Sequence, residues 1–81
     1  MRSFKVVGTK ADYVDSNTRY SIYENNKEVA RAIMSNYEKE NVNDTMSKRK
    51  DYDTIMREIT NMLIGLYNTD FIFSLEFEKE D

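Results

Sequence analysis

Two short segments near the start of the chain alternate between apolar and polar residues. They span residues 3–7 and 18–23, and a period of two is typical of a strand with one buried face. The apolar residues that share a face are Phe4, Val6, Tyr20 and Ile22. Because the turn-forming residues 15–17 lie between the segments, the pattern predicts a β-hairpin whose first strand extends as far as Val14.

In residues 25–40 the apolar positions recur every three or four residues instead. Asn25 is a suitable N-cap, and Glu28 three residues later completes a capping box. The apolar positions are Val29, Ala30, Ile33, Met34 and Tyr37. This spacing predicts an amphipathic helix that ends near Glu40.

The strongest periodicity lies in residues 52–67. Its eight apolar members are Tyr52, Ile55, Met56, Ile59, Met62, Leu63, Leu66 and Tyr67. At 100° per residue they fall within an arc of about 140°, as expected of a helix that packs on a core. The pattern predicts a helix that begins near Asp51 and ends near Asn68, with Ile64 outside the apolar stripe.

The last apolar segment alternates again, with four large side chains on one side: Phe71, Phe73, Leu75 and Phe77. The predicted order is therefore strand, strand, helix, helix, strand (ββααβ) in an α+β fold. With 81 residues, the chain has room for one core, so a single domain over residues 1–81 is expected.

A three-stranded sheet with both helices on one face leaves its other face open. The side chains predicted there are Lys5, Val7, Arg19, Tyr23, Ile72, Ser74 and Glu76. This set is more apolar at its centre than a solvent-exposed face usually is, which makes it a candidate contact surface.

Composition narrows the possible chemistry. The chain has no cysteine and no histidine, which excludes disulfides, thiolate metal sites and the Ser–His and Cys–His nucleophile pairs. No other constellation indicates a cofactor. We therefore expect a protein without enzymatic activity, metal or cofactor.

The densest run of charge is SKRKDYD, residues 47–53. Asp51 and Asp53 suit the first turn of a helix, because carboxylates there complement the helix dipole. A calcium loop starting at Asp51 is excluded, since Ile55 and Met56 would occupy the positions of an oxygen ligand and the obligatory glycine. The preferred interpretation is a solvated helix start.

A second interpretation of the same run is a nucleic-acid contact. Three bases beside an aromatic side chain can bind phosphate and stack on a base. The residues involved would be Lys48, Arg49, Lys50 and Tyr52. The net charge of −3 disfavours general affinity for phosphate backbones, so this remains an alternative.

The N-terminal residues lack the apolar core of a signal peptide, and no apolar run reaches the roughly 18–20 residues of a membrane span. These features predict a cytoplasmic protein with no membrane partner.

The first functional hypothesis is a protein-binding module, either an inhibitor or an adaptor that occludes a larger partner, for example a basic protein that handles nucleic acid. The small, cysteine-free composition, biased towards residues with AT-rich codons, suggests a viral or mobile-element origin. The candidate contact residues are Tyr23, Ile72, Glu76, Glu78, Glu80 and Ile64. The alternatives are a subunit that self-assembles through the open sheet face and a nucleic-acid-binding domain that uses Lys48, Arg49 and Lys50.

Overall fold

The computed structural model describes residues 1–11, 16–39 and 47–78. Within them the chain forms β1 (Arg2–Lys10), β2 (Asn17–Glu24), β3 (Lys27–Ser35), β4 (Tyr37–Glu38), β5 (Lys48–Arg49), α1 (Tyr52–Tyr67) and β6 (Phe71–Phe77). Val14, the predicted end of the first strand, and Glu40, the predicted end of the first helix, both lie outside the described residues.

Four strands form the main sheet, in the order β3-β2-β1-β6. The pairs β1–β2 and β2–β3 are antiparallel, whereas β1 and β6 are parallel. A parallel pair needs a crossover connection, and α1 supplies it by carrying the chain from the β3 side of the sheet to the far edge. The short strands β4 and β5 pair separately.

The predicted ββααβ fold with two helices and a three-stranded sheet is wrong. Residues 25–40 contain β3 and β4 in place of the first helix. Asn25 and Asn26 form the two-residue turn of a β2–β3 hairpin, with φ angles of 54° and 66°. Positive φ at both positions matches the right-handed twist of paired strands, and asparagine tolerates it better than most residues do.

The helical interpretation failed because the pattern in β3 fits both periods. Ala30 and Met34 share a face at a spacing of four residues in a helix and also in a strand. In the structure they face α1 together with Ala32, while Arg31 and Ile33 point to the other side of the sheet. Val29 occupies a β-bulge, where the register with β2 shifts.

The predicted long helix is confirmed, including both of its ends. The Asp51 side chain caps the N-terminus by accepting a hydrogen bond from the Thr54 backbone N–H, at 2.8 Å. At the C-terminus, Asn68 adopts the left-handed conformation, and its N–H donates to the Ile64 carbonyl. The strands predicted at 3–7, 18–23 and 71–77 are also confirmed.

The core lies between α1 and the two central strands. Its fully buried apolar side chains are Phe4, Val6, Tyr20, Ile22, Ile59 and Leu63. The helix-facing side chains of the outer strands, such as Met34 on β3 and Phe73 on β6, are only half-buried. α1 therefore covers the middle of one sheet face and leaves the helix-facing side chains of the outer strands partly exposed.

Candidate functional site: the uncovered face of the sheet

The sheet face opposite α1 is the candidate site, and among the described residues no helix packs against it. We call it the uncovered face. It carries Ser3, Lys5, Val7 and Thr9 from β1, Arg19, Ser21 and Tyr23 from β2, Arg31 and Ile33 from β3, and Ile72, Ser74 and Glu76 from β6. All seven side chains expected there from the sequence lie on it.

Tyr23 lies between two depressions in this face and lines both. The larger, of about 480 Å³, is bordered by Ser3, Lys5 and Ser74. The smaller, of about 260 Å³, is bordered by Thr9, Arg19, Ser21 and Arg31. Tyr23 lies opposite Lys5 and Glu28 on the adjoining strands, and it is the one aromatic side chain among the residues named for this face.

The charges on the uncovered face are largely neutralised within the face. Lys5 Nζ lies 2.9 Å from Glu76 Oε1 on the neighbouring strand, and this carboxylate raises the pKa of Lys5. The Arg31 guanidinium makes two hydrogen bonds to Glu28, at 2.9 and 3.0 Å. Arg19 has no ion-pair partner among the described residues.

The exposed carboxylate of Glu78 borders both depressions, and its negative charge offsets the positive charge of Arg19. The uncovered face is therefore mixed in polarity and close to neutral.

The structure brings only some of the predicted contact residues together. Tyr23, Ile72 and Glu76 lie on the uncovered face, and Glu78 lies at its border. Ile64 is 51% exposed but belongs to α1, on the opposite side of the sheet. Glu80 lies outside the described residues.

Ile33 was missed as a surface residue. It is 62% exposed on the uncovered face, whereas the helical interpretation of residues 25–40 placed it in the core. The signal that identifies it is the alternation of residues 30–35, in which small or apolar side chains at even positions face α1. The strand composition of this segment was visible in the sequence but competed with a helical pattern.

The basic run 48–50 is divided by the fold. Lys48 and Arg49 form β5, where both are exposed, and Arg49 lies over the ring of Tyr37 with its guanidinium carbon 5.6 Å from the ring centre. The Lys50 side chain is only 10% exposed, and its Nζ lies 2.8 Å from Glu58 Oε1 on α1. One of the three bases is thus engaged in attaching β5 to the helix.

The acidic half of the run has a structural role as well. The hydrogen bond from the Thr54 backbone N–H to Asp51 favours the ionised carboxylate and lowers the pKa of Asp51. Tyr52 follows as the first helical residue, with an exposed side chain. The preferred interpretation of the run, a helix start, agrees with this geometry.

Replacing Lys50 by alanine should lower the free energy of unfolding by about 1–2 kcal/mol, because Glu58 would lose a charged hydrogen-bond partner in a partly buried position. The matched change Lys27→Ala, at a lysine of β3 whose side chain is exposed, should cost less than about 0.5 kcal/mol. Urea unfolding followed by circular dichroism measures both. Equal costs would show that the Lys50–Glu58 contact does not stabilise the fold.

Within residues 1–11, 16–39 and 47–78, no group of three or more acidic side chains could hold a metal ion. In the same ranges, no helix is long and apolar enough to cross a membrane.

Comparison with known proteins identifies no relative. No protein-family model matches the chain, and neither the curated proteins nor the solved structures contain a significant match. The function therefore has to be inferred from the geometry of the chain itself.

Proposed function

We propose that this protein is a non-catalytic protein-binding module whose contact surface is the uncovered face. The observation that supports this most directly is the aromatic side chain of Tyr23, which lies on an inner strand of a sheet face that α1 leaves open, between two depressions. Tyrosine is enriched among the residues that dominate binding energy, and these residues cluster at the centre of an interface. A protein of this kind acts by occupying a partner's surface, as an inhibitor or an adaptor does.

The composition of the uncovered face suits a protein partner better than a phosphate backbone. Ile33 and Ile72 expose more than half of their surface, and hydroxyl side chains lie between them. The isoleucines lie on the two edge strands, so the face mixes apolar and hydroxyl side chains, and an interface between proteins is about as apolar as the rest of a protein surface. A nucleic acid would require an excess of positive charge, which the paired charges of this face do not provide.

The near-zero net charge of the uncovered face also indicates which partner charge it would favour. Because Glu76 is paired with Lys5, it does not offer an isolated carboxylate to a basic surface. The face therefore does not favour a basic partner over a neutral one. We expect association to depend only weakly on salt concentration, since steering by net charge is what gives association rates a strong salt dependence.

The test is a comparison of two tyrosine variants. The native chain, Tyr23→Ala and Tyr52→Ala would each be used to capture proteins from an extract of the cells that produce the protein. Tyr52 is the control, because it is an exposed tyrosine on α1, away from the uncovered face. We expect the true partner to be retained by Tyr52→Ala and lost by Tyr23→Ala.

The captured partner would then be purified and its Kd measured for all three chains. We expect Tyr23→Ala to raise the Kd by at least about tenfold, as for the central residues of other interfaces, and Tyr52→Ala to leave it within about twofold. Circular dichroism would confirm that both variants are folded. A partner that binds Tyr23→Ala as tightly as the native chain would exclude the uncovered face as its contact surface.

A further inference from the structure

The two edges of the main sheet differ in how they are protected. Edge strands expose unpaired backbone groups, and proteins usually guard them with charges or bulges. The β3 edge has both: Lys27, Glu28 and Arg31 lie along it, and a bulge occurs at Val29. Within the described residues, the β6 edge has no bulge and one charged side chain, Glu76, which extends towards Lys5 on β1 and so away from the edge.

The backbone geometry shows which groups the β6 edge exposes. Asp70 and Glu78, which flank β6, both bond to β1: the Asp70 carbonyl accepts from Arg2 N–H, and Glu78 N–H donates to the Gly8 carbonyl. Successive residues of a strand direct these groups to opposite sides. The N–H and C=O groups of Phe71, Phe73, Leu75 and Phe77 therefore point away from β1, towards the open edge.

The side chains of the same four residues are also incompletely covered. They face α1, yet Phe71, Phe73 and Leu75 are only half-buried and Phe77 is 48% exposed. The β6 edge thus combines a free hydrogen-bonding edge with a row of partly exposed apolar side chains. An added strand would supply hydrogen-bond partners for the backbone groups and would extend the row of apolar side chains.

We propose that this edge pairs with the β6 edge of a second copy of the chain, antiparallel and with the two-fold axis at Ser74. In this register Phe71 lies opposite Phe77 of the second copy and Phe73 lies opposite Leu75. All the outward-pointing backbone groups then meet each other, and the apolar row is continued by an identical one. Ser74 lies opposite its own copy in a non-hydrogen-bonded pair, where the strands approach most closely and a small side chain fits.

The second copy is favoured over an unrelated extended segment because this register places large apolar side chains opposite each other, Phe71 against Phe77 and Phe73 against Leu75, and the small Ser74 at the closest approach. On the other face of the strand, Ile72 lies opposite Glu76. The pairing joins two sheets into a continuous one of eight strands, with both helices on one side. The two uncovered faces then lie side by side on the other.

Cross-linking through an introduced cysteine tests the register directly, since the native chain has no cysteine. In the proposed dimer the Cα atoms of the two Ser74 residues are about 4.5 Å apart, within the range that a disulfide spans. We expect Ser74→Cys to form a covalent dimer on mild oxidation. Ser3→Cys is the control: it is equally exposed on the same face, but the two copies would be about 20 Å apart, because three strand spacings and four residues along the strands separate them.

The mass in solution provides a second measurement that does not depend on cysteine chemistry. Light scattering should give the native chain twice its monomer mass of 9.6 kDa. Ser74→Lys should shift the mass to that of a monomer because two ammonium groups would face each other, whereas Ser3→Lys should remain a dimer. Mixing Ser74→Lys with Ser74→Glu should restore the dimer.

Several results would overturn the edge pairing. A native chain of monomer mass throughout its soluble concentration range would exclude it, as would equal cross-linking of Ser74→Cys and Ser3→Cys. Loss of the dimer in both lysine variants would indicate stacking through the uncovered face instead. These measurements use purified protein alone, so their failure is distinct from a failure of the proposed partner binding.

Discussion

Replacing Leu63 by alanine is expected to lower the free energy of unfolding by about 2–5 kcal/mol, the range for leucine truncation in a packed core. Leu63 is fully buried on α1, where it packs with Ile59 against the central strands. A domain of this length has a total stability of roughly 4–12 kcal/mol, so the variant would lose a large part of it. Denaturant unfolding measures the change. The dependence of the free energy of unfolding on denaturant concentration should be the same for the variant and the native chain.

The control for this change is the next residue on the same helix. Ile64 is 51% exposed, and Ile64→Ala should change the free energy of unfolding by less than about 1 kcal/mol. A cost for Ile64→Ala equal to that of Leu63→Ala would mean that Ile64 is buried in solution, for example by association of the chain through its helical side. The pair of variants therefore also tests whether the helical side contributes to an interface.

The second large effect concerns the two glycines, for which the same substitution should act in opposite directions. A Cβ atom on Gly8 would lie 2.8 and 2.9 Å from two ring carbons of Phe77 and 3.1 Å from the ring of Tyr20. The two rings meet edge to face above this glycine. Gly8→Ala is expected to destabilise the protein by about 1–3 kcal/mol, as overpacking of a core does, because the Phe77 ring would have to leave its position over Gly8 and its contact with the buried Tyr20 ring.

Gly65 is the matched control. It lies in the last turn of α1, and an added Cβ would have no neighbour within 4 Å. Gly65→Ala should stabilise the protein by about 0.5–1 kcal/mol, since alanine loses less backbone entropy in a helix than glycine does. Thermal unfolding measures the change in melting temperature, which should be negative for Gly8→Ala and positive for Gly65→Ala. A neutral or stabilising Gly8→Ala would show that the Phe77 ring does not pack on Gly8.

The elements with strong local sequence signals were predictable, whereas the segment with an ambiguous pattern was not. α1 was predictable because its apolar stripe extends over more than four turns, with Asp51 and Asn68 as caps at its ends. The strands β1, β2 and β6 were predictable because each alternates over five or more residues. These signals depend on residues close together in the chain, so they can be evaluated without knowing the fold.

The candidate site was predictable in part for the same reason. Alternation placed Tyr23 and Ile72 on the face away from the core, and that assignment did not depend on the wrong helix count. Ile33 required the correct assignment of β3. The ion pair between Lys5 and Glu76, which neutralises the face, required knowledge that β6 lies beside β1.

The sequence by itself determined which segments have one buried side, where α1 begins and ends, and the absence of histidine and cysteine chemistry. Only the tertiary structure decided that residues 27–35 form a strand, since their apolar positions suit either period and backbone pairing with β2 selects the extended form. It also decided that β6 joins β1 in parallel and leaves an open edge, and that Lys50 turns inward to Glu58. These outcomes depend on contacts between residues far apart in the chain, which no local pattern encodes.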